Sequence, residues 1–302
     1  MTIFRGMLLA AIVQFAADGA LADPPPALEH QGVARHYLLH QPAGDASPRP
    51  LLIYLHGLRP AGWQNHTQAE IDVAADREGF VAAYPAALEG RWNYTGQLSD
   101  KVKIGDQVAD ETGFIAELID RLASEKIADP SRVYLIGESR GGLMVFELMC
   151  RMADRIAAAA PLITGMTEGQ RDACAPTRPV PVFAVNGTAD PIQRYDGWLF
   201  PTGRLLSVPE TMEYWRLQHG CTGQKATMLP HRVETDPTRI MLVQWTGCRG
   251  GDAMRLYRVS GGGHQVPSFT AASEAWVREA GRQNQDIETI DAFWDFAKAF
   301  GR

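Results

Sequence analysis

What the chain lacks narrows it first. No apolar stretch reaches the ~20 residues that a membrane-spanning helix needs; the run from Met7 to Phe15 is far shorter. Lysine and arginine form no stripe and the net charge is −6, which argues against nucleic acid or an anionic membrane as a partner. There is no His-Glu-x-x-His, no Cys-x-x-Cys and no calcium-loop spacing, so no metal ligand set is expected. Asp106 and Asp110 read as a helix start with favourable charge placement. Gly261-Gly262-Gly263 follows an apolar run but lacks the spaced glycines of a dinucleotide site, so no cofactor is expected. Internal repeats and Ser/Thr- or Pro-rich linkers are missing too. The reading is one catalytic domain over 23–302.

The remaining 22 residues have the marks of a secretory signal. Arg5 supplies the positive start, Met7 to Phe15 the apolar stretch, and Ala20-Leu21-Ala22 a small-x-small cleavage site before Asp23. Export, to a periplasm or out of the cell, is therefore expected, with no membrane anchor after cleavage. The four cysteines fit an oxidising compartment. Of the three pairings they allow, Cys150 with Cys174 and Cys221 with Cys248 is favoured, because each bond then closes a local loop.

Apolar runs punctuated by Gly and Pro recur at Tyr37 to Leu39, Leu51 to Leu55, Phe80 to Ala83, Val133 to Ile136, Ala157 to Leu162, Val182 to Val185 and Met254 to Val259. Several lack alternation, as strands buried on both faces do. Helical patterns lie between them: Ala69 to Glu78, Thr112 to Ser124, Leu143 to Met152, Glu210 to Gln218 and Ile287 to Phe300. Such alternation predicts an α/β fold with a mostly parallel sheet covered on both faces. Asp129-Pro130-Ser131 is read as the end of the long helix. The segment Ala226 to Trp245 is read as an added hairpin or an irregular excursion, with Asp236-Pro237-Thr238 as its turn.

Gly137-Glu138-Ser139-Arg140-Gly141, between the apolar run Val133 to Ile136 and a helical pattern, is where chemistry is expected. A strand entering Gly-x-Ser-x-Gly and then a helix is the setting that lifts a serine onto a strained turn as a nucleophile. The flanking glycines avoid collisions with the neighbouring strand and helix. A nucleophilic Ser139 needs a base, an acid to orient the base, and donors for the oxyanion. In an open α/β sheet these belong at the carboxyl ends of strands. Asp190 follows the run Val182 to Val185 and is preferred to Asp196 as the orienting acid; a loop-stabilising Asx turn is the competing use. His264 follows Met254 to Val259 and a glycine run, a setting that His30, His36, His40, His66, His219 and His231 lack, and is read as the base. The order Ser139, Asp190, His264 is that of the α/β-hydrolase arrangement. The run Leu51 to Leu55 leads into His56-Gly57-Leu58, where one oxyanion N–H is wanted; the N–H of Arg140 supplies the other. His56 is read as holding this loop. Trp63, Trp92, Tyr94, Trp198 and Phe200 are candidates to line a substrate shelf, with core packing as the competing role.

His56-Gly57, Gly137 to Met144, Gly187-Thr188-Ala189-Asp190-Pro191 and Gly261-Gly262-Gly263-His264 together resemble the secreted polyhydroxybutyrate depolymerase and feruloyl esterase group of α/β-hydrolases. Asp129 to Tyr134, Gly79-Phe80-Val81, Tyr84-Pro85 and Asp286-Ile287-Glu288 extend the similarity from about Gly32 to the end of the chain. The resemblance implies a serine hydrolase of carboxylic esters with Ser139, Asp190 and His264 as triad and the amides of Leu58 and Arg140 as oxyanion donors. Its partner is a small or oligomeric ester, of 3-hydroxybutyrate or feruloyl/acyl type. There are three departures from that group: Leu58 where cysteine is frequent, Arg140 where a small or amide residue is usual, and Gln265-Val266-Pro267 in place of Thr-Trp-Pro. Two rivals are a serine peptidase or other acyl transferase on the same scaffold, and a non-catalytic envelope binding protein that keeps a hydrolase shell.

Overall fold

A computed structural model describes residues 25–44, 48–58, 66–249, 251 and 253–301. The expected signal segment and Trp63 lie outside these residues. In chain order the strands and helices are β1 (Ala27–His30), β2 (Val33–His40), β3 (Arg49–Leu55), α1 (His66–Glu78), β4 (Val81–Pro85), β5 (Lys103–Ile104), β6 (Gln107–Val108), α2 (Glu111–Ser124), β7 (Ala128–Glu138) and α3 (Arg140–Arg151). They continue as β8 (Ala158–Leu162), α4 (Glu168–Ala173), β9 (Val182–Gly187), β10 (Trp198–Phe200), β11 (Gly203–Leu205), α5 (Val208–His219), β12 (Gly223–Met228), β13 (Arg239–Thr246), β14 (Met254–Ser260), α6 (Glu274–Ala280) and α7 (Thr289–Ala297).

Ten strands form one sheet in the order β1-β2-β4-β3-β7-β8-β9-β14-β13-β12. The six from β4 to β14 in that order run parallel, and antiparallel pairs close each side. Register aligns the carboxyl ends of the central strands: Leu55 lies opposite Gly137, and Glu138 opposite Leu162. The loops that leave β3, β7, β8, β9 and β14 are thereby brought to one edge.

The continuous apolar runs are explained by cover on both faces. Along β3, Leu51, Ile53 and Leu55 face a cluster with Phe114, Leu118 and Leu122 of α2, Met144 and Leu148 of α3, and Trp215 of α5. Leu52 and Tyr54 face the other cluster, with Ile71 of α1 and Phe293 and Trp294 of α7. Each such side chain taken from water contributes roughly 1.5–3 kcal/mol. The expected hairpin forms as β12 paired with β13, with Asp236 accepting from the Thr238 N–H at 2.8 Å just before β13.

The end of α2 differs from the sequence reading. The helix stops at Ser124, and Lys126 takes a left-handed conformation at φ 59°. The Ile127 N–H bonds the Leu122 carbonyl and the Lys126 N–H bonds that of Ala123, the paired closure of a Schellman motif. Asp129-Pro130-Ser131 belongs instead to the start of β7, opposite a register shift, where a proline removes no needed ladder bond. Asp106 sits in the β5–β6 turn, and Asp110 is the N-cap of α2, accepting from the Gly113 N–H at 2.9 Å.

Candidate active site

Ser139 directly follows the central strand β7, at φ 55°, ψ −117°, a backbone state that L-residues rarely adopt. Its N–H is bonded to the Leu162 carbonyl at 3.0 Å, and its own carbonyl takes the Leu143 N–H of α3. A strained residue persists where its surroundings over-determine it, and three glycines make this packing feasible. A Cβ on Gly137 would stand 2.5 Å from the Gly141 oxygen, one on Gly141 only 1.9 Å from the Leu55 oxygen, and one on Gly142 2.6 Å from the Thr164 methyl. The turn is therefore wedged between β3, β8 and its own helix.

The structure brings Asp190 and His264 together. His264 Nδ1 and Asp190 Oδ2 are 2.7 Å apart, and both side chains are almost wholly buried. The other carboxylate oxygen, Oδ1, accepts the N–H groups of Ile192 and Gln193, each at 2.8 Å. Asp190 thus makes the Asx-type turn and holds the imidazole at once, one oxygen for each. The His264 loop is fixed by backbone: Gly263 N–H bonds the Arg282 carbonyl, and His264 N–H that of Ala280. Gly187 and Gly263 are closed in by backbone on opposite sides of this crossing, so neither accepts a side chain.

Over the nucleophile turn lies the loop after β3. A Cβ on Gly57 would be 3.5 Å from the Ser139 Cβ, which puts the Gly57-Leu58 backbone beside the nucleophile, with the Leu58 side chain turned to solvent. Arg140 opens α3, so its N–H has no acceptor within the helix. Its guanidinium donates to Ser99 Oγ at 3.0 Å and lies 6.0 Å from the Tyr94 ring centre. His56 is committed elsewhere: Nε2 accepts the Ala87 N–H at 3.2 Å, which leaves Nδ1 to donate to the Gly57 carbonyl at 2.7 Å.

Of the aromatic candidates, Trp92 is a correction. It has no exposed surface, and its Nε1–H donates to the His56 carbonyl at 2.9 Å, so it braces the loop from inside and presents nothing to a substrate. Tyr94 is also buried, with Leu143, Leu205, Leu98 and Phe200, and burial raises its hydroxyl pKa. Trp198 is 40% exposed and stacks on Phe200 at 5.5 Å, on the β10–β11 hairpin that follows the Asp190 loop.

Sequence reasoning missed Gln193. Its Nε2 donates to Ser139 Oγ at 3.2 Å, and its Oε1 takes the Thr164 hydroxyl. The only signal was an amide residue three places past Asp190.

The model of the family described as esterase PHB depolymerase matches residues 35–197, more than half of the chain. The chain belongs to that family. It is 29% identical over 252 residues to a bifunctional acetylxylan esterase/xylanase of Neocallimastix patriciarum, a match covering 82% of this chain and 33% of the relative. It is 28% identical over 229 residues to feruloyl esterase B of Piromyces equi, covering 71% and 39%. The chain thus spans only about a third to two fifths of those relatives' lengths. An acetyl xylan esterase from Aspergillus awamori superposes with a TM-score of 0.53 at 18% identity, over 78% of this chain and 90% of that one. The likeness is one of fold, and the α/β-hydrolase architecture expected from the sequence is the one observed. In this family member both cysteine pairs are bonded, Cys150 to Cys174 and Cys221 to Cys248. No described helix is long and apolar enough to cross a membrane, and among the described residues no cluster of three or more His, Cys, Asp or Glu could hold a metal ion.

Proposed function

We propose that the chain is an exported serine hydrolase of carboxylic esters that works through an acyl-enzyme. The buried His264–Asp190 contact at 2.7 Å carries this reading, because it fixes an imidazole at the same sheet edge as a serine held at φ 55°. With Nδ1–H bonded to the carboxylate, Nε2 is the nitrogen left to accept the Ser139 proton. The Ser139 oxygen then attacks the ester carbonyl, and the N–H groups of Leu58 and Arg140 receive the developing oxyanion. His264 passes the proton to the departing alcohol, and water repeats the cycle to release the acid. Asp190 stabilises the imidazolium at each stage.

The substrates proposed are short polyester oligomers of 3-hydroxybutyrate type or feruloyl and other acyl esters, in keeping with the family and with the esterases it resembles. Trp198, exposed beside the Asp190 loop, its stacking partner Phe200 and Trp63 remain the candidates for a substrate shelf. The two disulfides suit an oxidising compartment, in accord with export after loss of residues 1–22.

A fluorophosphonate probe tests the mechanism: it should label the protein at Ser139 and leave Ser139→Ala unlabelled. Hydrolysis of p-nitrophenyl acyl esters, methyl ferulate and 3-hydroxybutyrate oligomers then identifies the ester. Activity on amides alone would overturn the assignment.

A further inference from the structure

The loop that carries Asp190 delivers a second polar group to the site. Gln193 uses its backbone and its side chain for different partners: the N–H donates to Asp190 Oδ1 at 2.8 Å, and Nε2 donates to Ser139 Oγ at 3.2 Å. Its Oε1 is held by the hydroxyl of Thr164, a buried residue just past β8 whose methyl packs where a Cβ on Gly142 would fall. The Thr164 carbonyl is held in turn by Asn186 Nδ2 at 2.9 Å, from the end of β9. The carboxamide is thus oriented from the sheet.

A serine hydroxyl has one proton and two acceptor sites. A donor aimed at Oγ occupies one of those sites and leaves the proton free for His264. As the O–H bond breaks and the Oγ–carbonyl bond forms, charge builds on Oγ, and a hydrogen bond to a charged acceptor is about twice as strong as one to a neutral acceptor. In deacylation the Oγ–carbonyl bond breaks and the oxygen again carries charge until His264 returns the proton. The same contact therefore acts in both half-reactions, at Oγ and not at the carbonyl oxygen that the oxyanion donors serve.

We infer that Gln193 is a further catalytic residue, a hydrogen-bond donor to the nucleophilic oxygen itself; this rests on the acyl-enzyme reading. The test replaces the carboxamide by Gln193→Met, which keeps length, and by Gln193→Glu, whose ionised carboxylate cannot donate. Both keep the backbone N–H that steadies Asp190. For each, kcat on p-nitrophenyl acetate should fall about tenfold with KM within about twofold, since both half-reactions slow together. The rate of fluorophosphonate labelling at Ser139 should fall by a similar factor. Thr164→Val should give a smaller loss of the same kind, and adding it to Gln193→Met should cost little more, because the two act through one contact.

Unchanged kcat and labelling in both Gln193 variants would make the residue a bystander and overturn the inference. Faster labelling would also overturn it, by showing that the carbonyl faces Ser139 and draws its proton away from His264. A raised KM with unaltered kcat would reassign Gln193 to substrate binding. In all three outcomes Ser139 is still labelled and the acyl-enzyme reading stands, whereas a folded wild-type protein that is not labelled at all ends both.

Discussion

Gly141→Ala puts one methyl group at the tightest point of the nucleophile turn. The added Cβ would lie 1.9 Å from the Leu55 oxygen, 2.6 Å from the Leu55 carbonyl carbon and 2.7 Å from the His56 oxygen. A normal carbon–oxygen contact is about 3.3 Å, so α3 and the end of β3 must part by roughly 1.4 Å. Neither side yields readily, because β3 is a central strand and α3 is packed against both β7 and β8. Alanine gains about 1 kcal/mol over glycine in a helix, while overpacking of this kind costs about 1–3 kcal/mol and at times more. The obstacle here is the backbone of Leu55 and His56 and not the end of a flexible side chain, so a net loss of about 2 kcal/mol is expected, a fall in Tm of roughly 4–8 °C. The displaced atoms lead directly into Gly57-Leu58, so activity per folded molecule should fall about 100-fold, the cost of misplacing a site by about 1 Å. Gly105→Ala is the control. It has φ +59° but nothing within 4 Å of its added Cβ, so it should cost about 1–2 kcal/mol and leave activity per folded molecule intact. Denaturant melts and ester hydrolysis normalised to folded protein measure both quantities. A Gly141→Ala protein as stable and active as wild type would show that the turn is not wedged as described.

Asp190→Asn should lower kcat about 10⁴-fold with little loss of stability. The amide oxygen is held by the Ile192 and Gln193 N–H groups, which turns NH₂ toward His264 Nδ1 and forces the wrong tautomer; a loss below about tenfold would contradict this. Replacing either disulfide by alanine pairs should cost about 3 kcal/mol in a denaturant melt, and the two should cost alike, since the bridged residues are 24 and 27 apart. Glu70 is pushed up to about 8, first by burial, opposed by the Ser268 hydroxyl and reinforced by the charges of Glu288 and Glu138. The folded chain therefore keeps a proton that the unfolded chain releases near pH 4.5. The resulting stability is full below that pH and is lost as pH rises toward 8. Glu70→Gln should flatten this part of the stability–pH curve, and an unaltered slope would refute the assignment.

The features legible in the sequence are those whose cause is local. Ser139 stood out because the strain of its turn must be relieved by glycines within a few residues, and Asp190 and His264 because strand ends are marked by the runs before them. Where an effect is carried by backbone with no special residue, the sequence is quiet. Pro130 looked like the stop of α2, yet the stop is Lys126, which enters the left-handed region without being glycine or asparagine. Trp92 sits on a loop, and only its bond to the His56 carbonyl, 36 residues away, decides that it faces inward. Gln193 was invisible for the same reason, since its partner lies 54 residues away and an amide has no spacing signature. Asp190 marks the boundary between the two kinds of information. Its Asx turn is local, its bond to His264 spans 74 residues, and from sequence they looked like alternatives. A carboxylate has two oxygens, so one side chain meets both demands. The local turn fixes Oδ1 against two N–H groups and thereby aims Oδ2 at the imidazole. Short-range backbone chemistry therefore sets the long-range contact on which the proposed reaction depends.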